Sequence, residues 1–156
     1  MPIEISSLQN FPKLKSEVAQ RMWKAWWEPA GNSLQTVLDH IDEISASNGI
    51  PFGLVAHENG TYVGSMVGIA SDLDARLDLT PWVAALWVDE AYRKQGVATL
   101  LMNAALIKFF ALGQSKVYLN ATTDKRGFYQ RFGWRLIEEG VGNDKLDVFV
   151  IERSDA

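Results

Sequence analysis

The feature that most limits how this 156-residue chain can fold is the stretch at residues 82–101. Its first seven residues, WVAALWV, are β-branched, aromatic or small and apolar, which is typical of a buried strand. A polar turn containing Gly96 follows, and an apolar-periodic segment then predicts a helix. The first N–H groups of a helix lack intrahelical acceptors, and the helix dipole adds partial positive charge. Strand, turn and helix start in this order therefore predict a site for an anion such as a phosphate.

The turn itself carries the groups that such a site needs. Arg93 and Lys94 supply two cations at its rim, and Gly96 lets the backbone approach a ligand closely. The sequence RKQGVA at residues 93–98 is similar to the Arg/Gln-x-x-Gly-x-Gly/Ala signature with which the GNAT acyltransferase superfamily binds the pyrophosphate of acetyl-coenzyme A. A second stretch, KVYLNATTDKRGFYQRFGW at residues 116–134, resembles the second motif of that family. The chain is thereby identified as a member of the GNAT superfamily of acetyl-CoA-dependent N-acetyltransferases.

The remaining patterns agree with the fold that this resemblance implies. They predict elements in the order βααβββαβαββ, with Ser33 capping the second helix and Asn59-Gly60 forming a hairpin turn. We expect an α/β (α+β) fold in a single N-acetyltransferase (GNAT) domain over residues 1–153, followed by a loose tail at residues 154–156. Its mixed six- to seven-stranded sheet would be flanked by about four helices. By resemblance, the two central parallel strands splay apart and admit the pantetheine arm of the cofactor.

Two predictions concern the core. Trp23, Trp26 and Trp27 lie on the first predicted helix, from Pro12 to about Trp27, and we interpret them as core residues, the alternative being a ligand-binding wall. The helix after the turn carries an apolar stripe that we also expect to be buried. Its members are Val97, Leu100, Leu101, Ala104, Ile107 and Ala111.

The resemblance also assigns the cofactor contacts and a catalytic residue. It implies backbone contacts to pantetheine from Leu86, Trp87 and Val88. Tyr129 matches the family tyrosine that protonates the sulfur of coenzyme A, the alternative being simple packing of its helix. Asn120 would bond pantetheine or a water molecule, or cap its strand. The pyrophosphate would be held by Arg93, Lys94, Gln95, Gly96, Val97, Ala98 and Thr99.

The acceptor side is less defined. In the family the loop between the first two helices borders the acceptor site, which makes Glu28 a candidate contact to an amine. Asp72 and Asp74 lie in a long acidic loop that would attract an ammonium group, or else be solvated. These three residues are also candidate general bases. Asp147 is a fourth candidate, with an edge-strand carboxylate in solvent as the alternative, and the sequence favours none of them.

Composition excludes several other classes of protein. A net charge of -4 disfavours nucleic-acid binding, and the chain has no cysteine and no cluster with metal-ligand spacing. No stretch is long and apolar enough to span a membrane, so we expect a cytoplasmic enzyme. Because the metal-ligand cluster is missing, we expect this enzyme to use no metal. Its partner would be an amine-bearing small molecule or peptide, and a homodimer is an assembly that the sequence leaves open. The alternative function is a non-catalytic acyl-CoA-binding sensor or interaction domain.

Overall fold

The computed structural model describes residues 2–155, and its elements follow the predicted order. Four α-helices and seven strands lie within these residues, joined by short 3-10 turns. The helices are α1 (Lys15–Met22), α2 (Leu34–Ala46), α3 (Val97–Ala111) and α4 (Arg126–Phe132). The strands are β1 (Glu4–Ser7), β2 (Phe52–Glu58), β3 (Thr61–Ile69), β4 (Trp82–Val88), β5 (Lys116–Ala121), β6 (Arg135–Val141) and β7 (Leu146–Glu152).

The strands form one mixed sheet in the order β1-β2-β3-β4-β5-β7-β6. Strands β5 and β7 are antiparallel over six residue pairs, from Lys116 with Glu152 to Ala121 with Asp147. Strands β4 and β5 are parallel, and within residues 2–155 a single pair, Trp82 with Tyr118, joins them. The mixed sheet and four helices confirm the predicted fold class.

The described residues divide into two compact units, of which the first holds residues 2–67 and 85–105. In this unit α1 packs against α2, and Lys15 pairs with Asp42 at 2.6 Å. Packing beneath α2 is tight, since a Cβ atom on Gly53 would lie 3.1 Å from Leu8 and 3.4 Å from Ile44. Strand β2 is buried along almost its whole length, as its continuous apolar sequence predicts.

The second unit holds residues 68–84 and 106–155 and has its own apolar cluster. Trp82 is fully buried there, and its indole N–H donates to the carbonyl of Leu79 at 2.7 Å. The bond explains how a tryptophan can be completely buried, because its one donor has an acceptor. The cluster consists of Trp82, Val141 and Val148, with Ile69, Leu73, Leu79 and Tyr118 packed against it.

The sequence signals for where individual helices and turns begin and end are confirmed. The Ser33 hydroxyl accepts the backbone N–H of Thr36 at 3.2 Å and so caps α2. Asn59 and Gly60 both have positive φ, 51° and 79°, as a tight turn between β2 and β3 requires. Gly133 ends α4 with a φ of 125°.

The prediction that the three tryptophans belong to the core is wrong. Helix α1 continues into a π-helical segment, Trp23–Trp27, and this wider turn changes the angular spacing that the 3.6-residue period assumes. Trp26 is 43% exposed, and Trp23 and Trp27 are half-buried.

The predicted stripe on α3 is also partly wrong. Val97 and Leu101 are buried, but Leu100, Ile107 and Ala111 are exposed. Nearly every residue of α3 is apolar, so several stripes fit the sequence equally well. The fully buried side chains are Leu101, Met102, Ala105 and Phe109.

Near the chain end, Arg153–Asp155 form a 3-10 turn, and Ala156, part of the predicted tail, lies outside the described residues. The Arg153 guanidinium donates to the carbonyl oxygens of Phe110 at 2.7 Å and Gln114 at 3.2 Å. Among the helices of residues 2–155, none combines the length and apolar character needed to cross a bilayer.

Candidate active site

The turn after β4 has the geometry of an anion site. Helix α3 begins with the bond from the Leu100 N–H to the Gly96 carbonyl, 3.1 Å long. The amides of Val97, Ala98 and Thr99 precede that bond, so they have no intrahelical acceptor. Gly96 has a φ of 82°, and no atom lies within 4 Å of the position where its Cβ would be. Open space therefore lies beside Gly96, and the helix start has three amides without an intrahelical acceptor.

Side chains of the turn fix its shape. The Nε of Arg93 donates to the carbonyl of Val88 at 2.8 Å, and the guanidinium lies 4.7 Å from the centre of the Trp87 ring. The Nε2 of Gln95 donates to the carbonyl of Ala91 at 3.2 Å. Lys94 is exposed, with a φ of 64°. Arg93 and Gln95 thus brace the turn, and the amides and Lys94 stay accessible.

The end of β4 has an irregular backbone that sets it apart from a simple core strand. Ala85 has a φ of 54°, which is uncommon for a residue with a Cβ atom. Gly64 lies against the end of the strand, and a Cβ atom there would be 2.8 Å from the Trp87 carbonyl oxygen. A close approach between two backbones is therefore found at Gly64. It positions the segment Leu86, Trp87 and Val88 that the sequence assigned to pantetheine.

A charged network ties α1 to the residue that follows β4. Arg21 donates to both carboxylate oxygens of Asp89, from Nε at 3.2 Å and from Nη2 at 2.8 Å. The Trp87 indole N–H donates to the same carboxylate at 2.9 Å. Burial opposes ionisation of Asp89, but the bonds from Arg21 and Trp87 outweigh it and lower the pKa of the carboxyl. Asp89 is therefore a paired anion at neutral pH.

A cavity of about 500 Å³ lies beside this network, within the first unit. Trp23 from the π-helical segment and Trp87 from β4 both contribute to its walls. Trp26 packs edge-on against Trp87, with 6.4 Å between the ring centres. The lining is mostly apolar and is made by Gln20, Arg21, Trp23, Lys24, Ala25, Leu34, Trp87 and Asp89.

In the second unit, Tyr129 lies on α4 and is largely buried. Its ring packs against Phe149 and Phe128, with ring centres 5.7 Å and 5.1 Å away. Burial raises the pKa of the Tyr129 phenol above its ordinary value. The hydroxyl is therefore protonated at neutral pH and able to act as a proton donor.

Also in the second unit, Asn120 and Asp72 are brought together. The Nδ2 of Asn120, near the end of β5, donates to Oδ2 of Asp72 at 2.8 Å. Asp72 is exposed as a whole residue, and its carboxyl group is only partly withdrawn from solvent. This burial raises the pKa of Asp72 to about 6, although the bond from Asn120 acts in the opposite direction.

The other predicted acceptor residues make few specific contacts. Glu28 is exposed and lies 3.6 Å from Nζ of Lys24, one helical turn earlier. Asp74 is exposed and begins the 3-10 turn Asp74–Arg76. Within the acidic loop Arg76 pairs with Asp78, and it also pairs with Glu138 on β6.

The description of Asp147 as a solvated edge carboxylate is wrong. Strand β7 lies between β5 and β6, and Asp147 is completely buried. Arg126 donates to both its oxygens, at 2.9 Å and 2.8 Å, and also to Glu139. Asp147 therefore has a structural ion-pair partner instead of free access to a substrate proton.

No group of three or more histidine, aspartate or glutamate residues within residues 2–155 could hold a metal ion. The features that sequence reasoning missed are the Arg21–Asp89 pair and the cavity. Arg21 and Asp89 are 68 positions apart, so no local pattern links them. The tryptophans at residues 23–27 could have indicated the cavity, because the alternative interpretation of these residues was a ligand-binding wall.

Comparison with known proteins agrees with the fold. Among curated protein sequences, none matches the chain. An aminoglycoside 6'-N-acetyltransferase complexed with coenzyme A is 18% identical, with 97% of each chain covered and a TM-score of 0.72. An acyl-CoA N-acyltransferase from Pseudomonas aeruginosa is 17% identical, covering 96% of this chain and 99% of that chain at a TM-score of 0.69. Ard1 from Thermoplasma volcanium is 19% identical, with 97% and 98% covered and a TM-score of 0.68.

These similarities show a shared fold, and the family itself is shown by sequence. The model of the acetyltransferase (GNAT) family matches residues 17–134, well over half of the chain. The matched region contains the turn at residues 93–98, Asn120 and Tyr129. The chain belongs to the acetyltransferase (GNAT) family and is an acyltransferase.

Proposed function

We propose that the enzyme transfers the acetyl group of acetyl-CoA to a primary amine of a small molecule or peptide, by direct attack in a ternary complex. The observation that carries this proposal is the turn at residues 93–99, where Gly96 opens the start of α3 and the amides of Val97, Ala98 and Thr99 have no intrahelical acceptor. A pyrophosphate suits such a site, since it accepts several N–H bonds and gains from the helix dipole.

The rest of the cofactor would extend along β4. The backbone of Leu86, Trp87 and Val88 offers donors and acceptors to the amides of pantetheine, and Asn120 offers a further polar contact. The solved structure of an aminoglycoside acetyltransferase with a similar fold contains coenzyme A, which supports a coenzyme of this type here. Acetyl-CoA acts as co-substrate, and the reaction needs no metal.

In the reaction, the neutral amine nitrogen attacks the thioester carbonyl carbon and forms the C–N bond. A backbone N–H near Val88 would stabilise the developing oxyanion. The C–S bond then breaks, and the phenol of Tyr129 donates its proton to the departing thiolate. Burial keeps Tyr129 protonated at neutral pH, so its proton is present for this step.

An amine acceptor is mostly protonated at neutral pH, so a group must accept its proton. Among the carboxylates considered on the acceptor side we favour Asp72, which accepts a bond from Asn120 and has a pKa raised to about 6 by burial. A base of that pKa is largely ionised at pH 7 and still basic enough to hold a proton.

The test is calorimetric titration of the purified chain with acetyl-CoA, which does not depend on knowing the acceptor. We expect one site per chain with micromolar affinity. Gly96→Glu should abolish binding, because the new side chain adds bulk and negative charge at the turn. The matched control is Gly113→Glu, since Gly113 also has a positive φ, 90°, and open space around its Cβ position. Unchanged affinity of Gly96→Glu would contradict the proposed phosphate site.

A further inference from the structure

The cavity beside β4 has walls suited to a planar apolar group. Trp23 and Trp87 are both half-buried, which leaves part of each indole uncovered by protein. Ala25 and Leu34 add smaller apolar surfaces to the same lining. A volume of about 500 Å³ lies within the range of roughly 300–1,000 Å³ common for small-molecule sites. Large aromatic side chains in such walls provide most of the binding energy for apolar ligands.

The charges around the cavity do not suit a polyamine. Asp89 is the one carboxylate in the lining, and both its oxygens already accept bonds from Arg21. Arg21 and Lys24 are the two lining cations, so the cavity walls carry one net positive charge. Among the lining residues an ammonium group would meet no unpaired anion, and Lys24, which pairs with Glu28 at 3.6 Å, offers it no acceptor.

The cavity is connected to the proposed cofactor strand through one residue. Trp87 gives its side chain to the cavity wall, and its backbone belongs to the segment proposed to contact pantetheine. Arg93, at the phosphate turn, lies over the same indole. A group bound in the cavity is therefore held next to the strand along which the acetyl thioester would lie.

We infer that this cavity binds the aromatic ring, or an apolar group of similar size, of the acyl acceptor, so that the preferred acceptors are amines carried on such a group. This inference rests on the proposed function, which supplies the acetyl transfer. The free amine would project from the cavity toward β4, and the ring would occupy the apolar walls between Trp23 and Trp87.

The first experiment compares 2-phenylethylamine with 1,4-diaminobutane as acceptors in the presence of acetyl-CoA. Release of coenzyme A is followed with a thiol reagent, to which the cysteine-free chain contributes no background. We expect kcat/KM for 2-phenylethylamine to be about tenfold higher or more, because the diamine places a second charge in an apolar pocket. Equal values, or a preference for the diamine, would overturn the inference.

Variants of the lining test the location. Ala25→Phe fills the cavity and should lower kcat/KM for 2-phenylethylamine by about tenfold or more, through a higher KM. The matched control is Ala111→Phe, an exposed helical alanine outside the lining, which should leave the activity unchanged. Leu34→Ala is a second variant, which removes apolar wall at a half-buried position and should also raise KM. Wild-type KM in both lining variants would overturn the assignment to this cavity.

A separate binding readout distinguishes failure of this inference from failure of the proposed function. Quenching of tryptophan fluorescence by 2-phenylethylamine, with free coenzyme A in place of acetyl-CoA so that no transfer can occur, reports occupancy near Trp23 and Trp87 without any reaction. If acetyl-CoA binds in the calorimeter but 2-phenylethylamine neither quenches nor reacts, the inference is wrong and the cofactor proposal stands. If acetyl-CoA itself does not bind, the proposed function is wrong, and quenching that Ala25→Phe abolishes would still support the cavity as an aromatic site.

Discussion

Replacing Gly64 with alanine should loosen the end of β4. In the structure a Cβ atom at this position would lie 2.8 Å from the Trp87 carbonyl oxygen, a contact closer than Cβ atoms adopt in proteins. The next neighbours, at 3.4 Å, are Cα of Val88 and Cδ1 of Leu101. Because the nearest atom belongs to the backbone, no side-chain rotation can relieve the clash, and the strand itself must move.

The cost of such a movement can be bounded. One added methyl group in a packed interior typically lowers the free energy of unfolding by about 1–3 kcal/mol. In a chain of this size each kcal/mol corresponds to roughly 2–4 °C in the unfolding midpoint. We therefore expect Gly64→Ala to unfold several degrees below the parent chain. Its affinity for acetyl-CoA should fall as well, because the displaced segment at residues 86–88 contains the proposed pantetheine contacts.

The assay is thermal unfolding of Gly64→Ala beside Gly49→Ala, followed by titration with acetyl-CoA. Gly49 lies in the same unit, has no atom within 4 Å of its Cβ position and does not have a positive φ. Gly49→Ala should therefore be neutral, or stabilising by about 0.4–1 kcal/mol through a less flexible unfolded chain. If Gly64→Ala unfolds at the same temperature as Gly49→Ala, the close approach to β4 is not a constraint and the reasoning fails.

Three further predictions follow from the second unit. Tyr129→Phe should lower kcat by about 100-fold or more with unchanged affinity for acetyl-CoA, as loss of a general acid requires. An unaltered kcat in steady-state assays would remove Tyr129 from the mechanism. The pKa of Asp72 is raised from 3.8 to about 6, so the folded state retains its proton between these values and stability is lost as the pH rises through 6. The thermal unfolding midpoint of Asp72→Asn should therefore rise relative to that of the parent chain as the pH increases from 4 to 7. Parallel plots of midpoint against pH for the two proteins would contradict this. Arg126→Met leaves the buried carboxylate of Asp147 unpaired and should destabilise far more than Arg135→Met, whose partner is a partly exposed glutamate, in the same unfolding assay.

The parts of the fold that the sequence predicted are those with local signals. The turn at residues 93–99 depends on residues that are adjacent in the chain, and a glycine with φ near 82° at position 96 has few substitutes. The cap at Ser33 and the turn at Asn59 and Gly60 are similarly encoded within four residues. The order of strands and helices followed from these signals and from the family resemblance.

The sequence could not show contacts between residues that are far apart in the chain. It also could not show which face of an apolar helix is buried. Asp72 meets Asn120 across 48 positions, so no local pattern in the sequence shows their hydrogen bond. Asp147 looked like a solvated residue because its partner Arg126 comes from another element. The exposed position of Ile107 could not be predicted either, since an almost wholly apolar helix has no distinct polar face.

The π-helical segment Trp23–Trp27 has a consequence for how this enzyme can diverge. A π-helical turn holds one residue more than an α-helical turn over a similar rise, so it arises by insertion and disappears by deletion of a single residue. Losing one residue here would rotate Trp23 relative to Trp87 and reshape the cavity between them. Strand β4 and the turn at residues 93–99 would keep their sequence. The choice of acceptor could thus change by one-codon insertions and deletions, while the cofactor site is inherited intact.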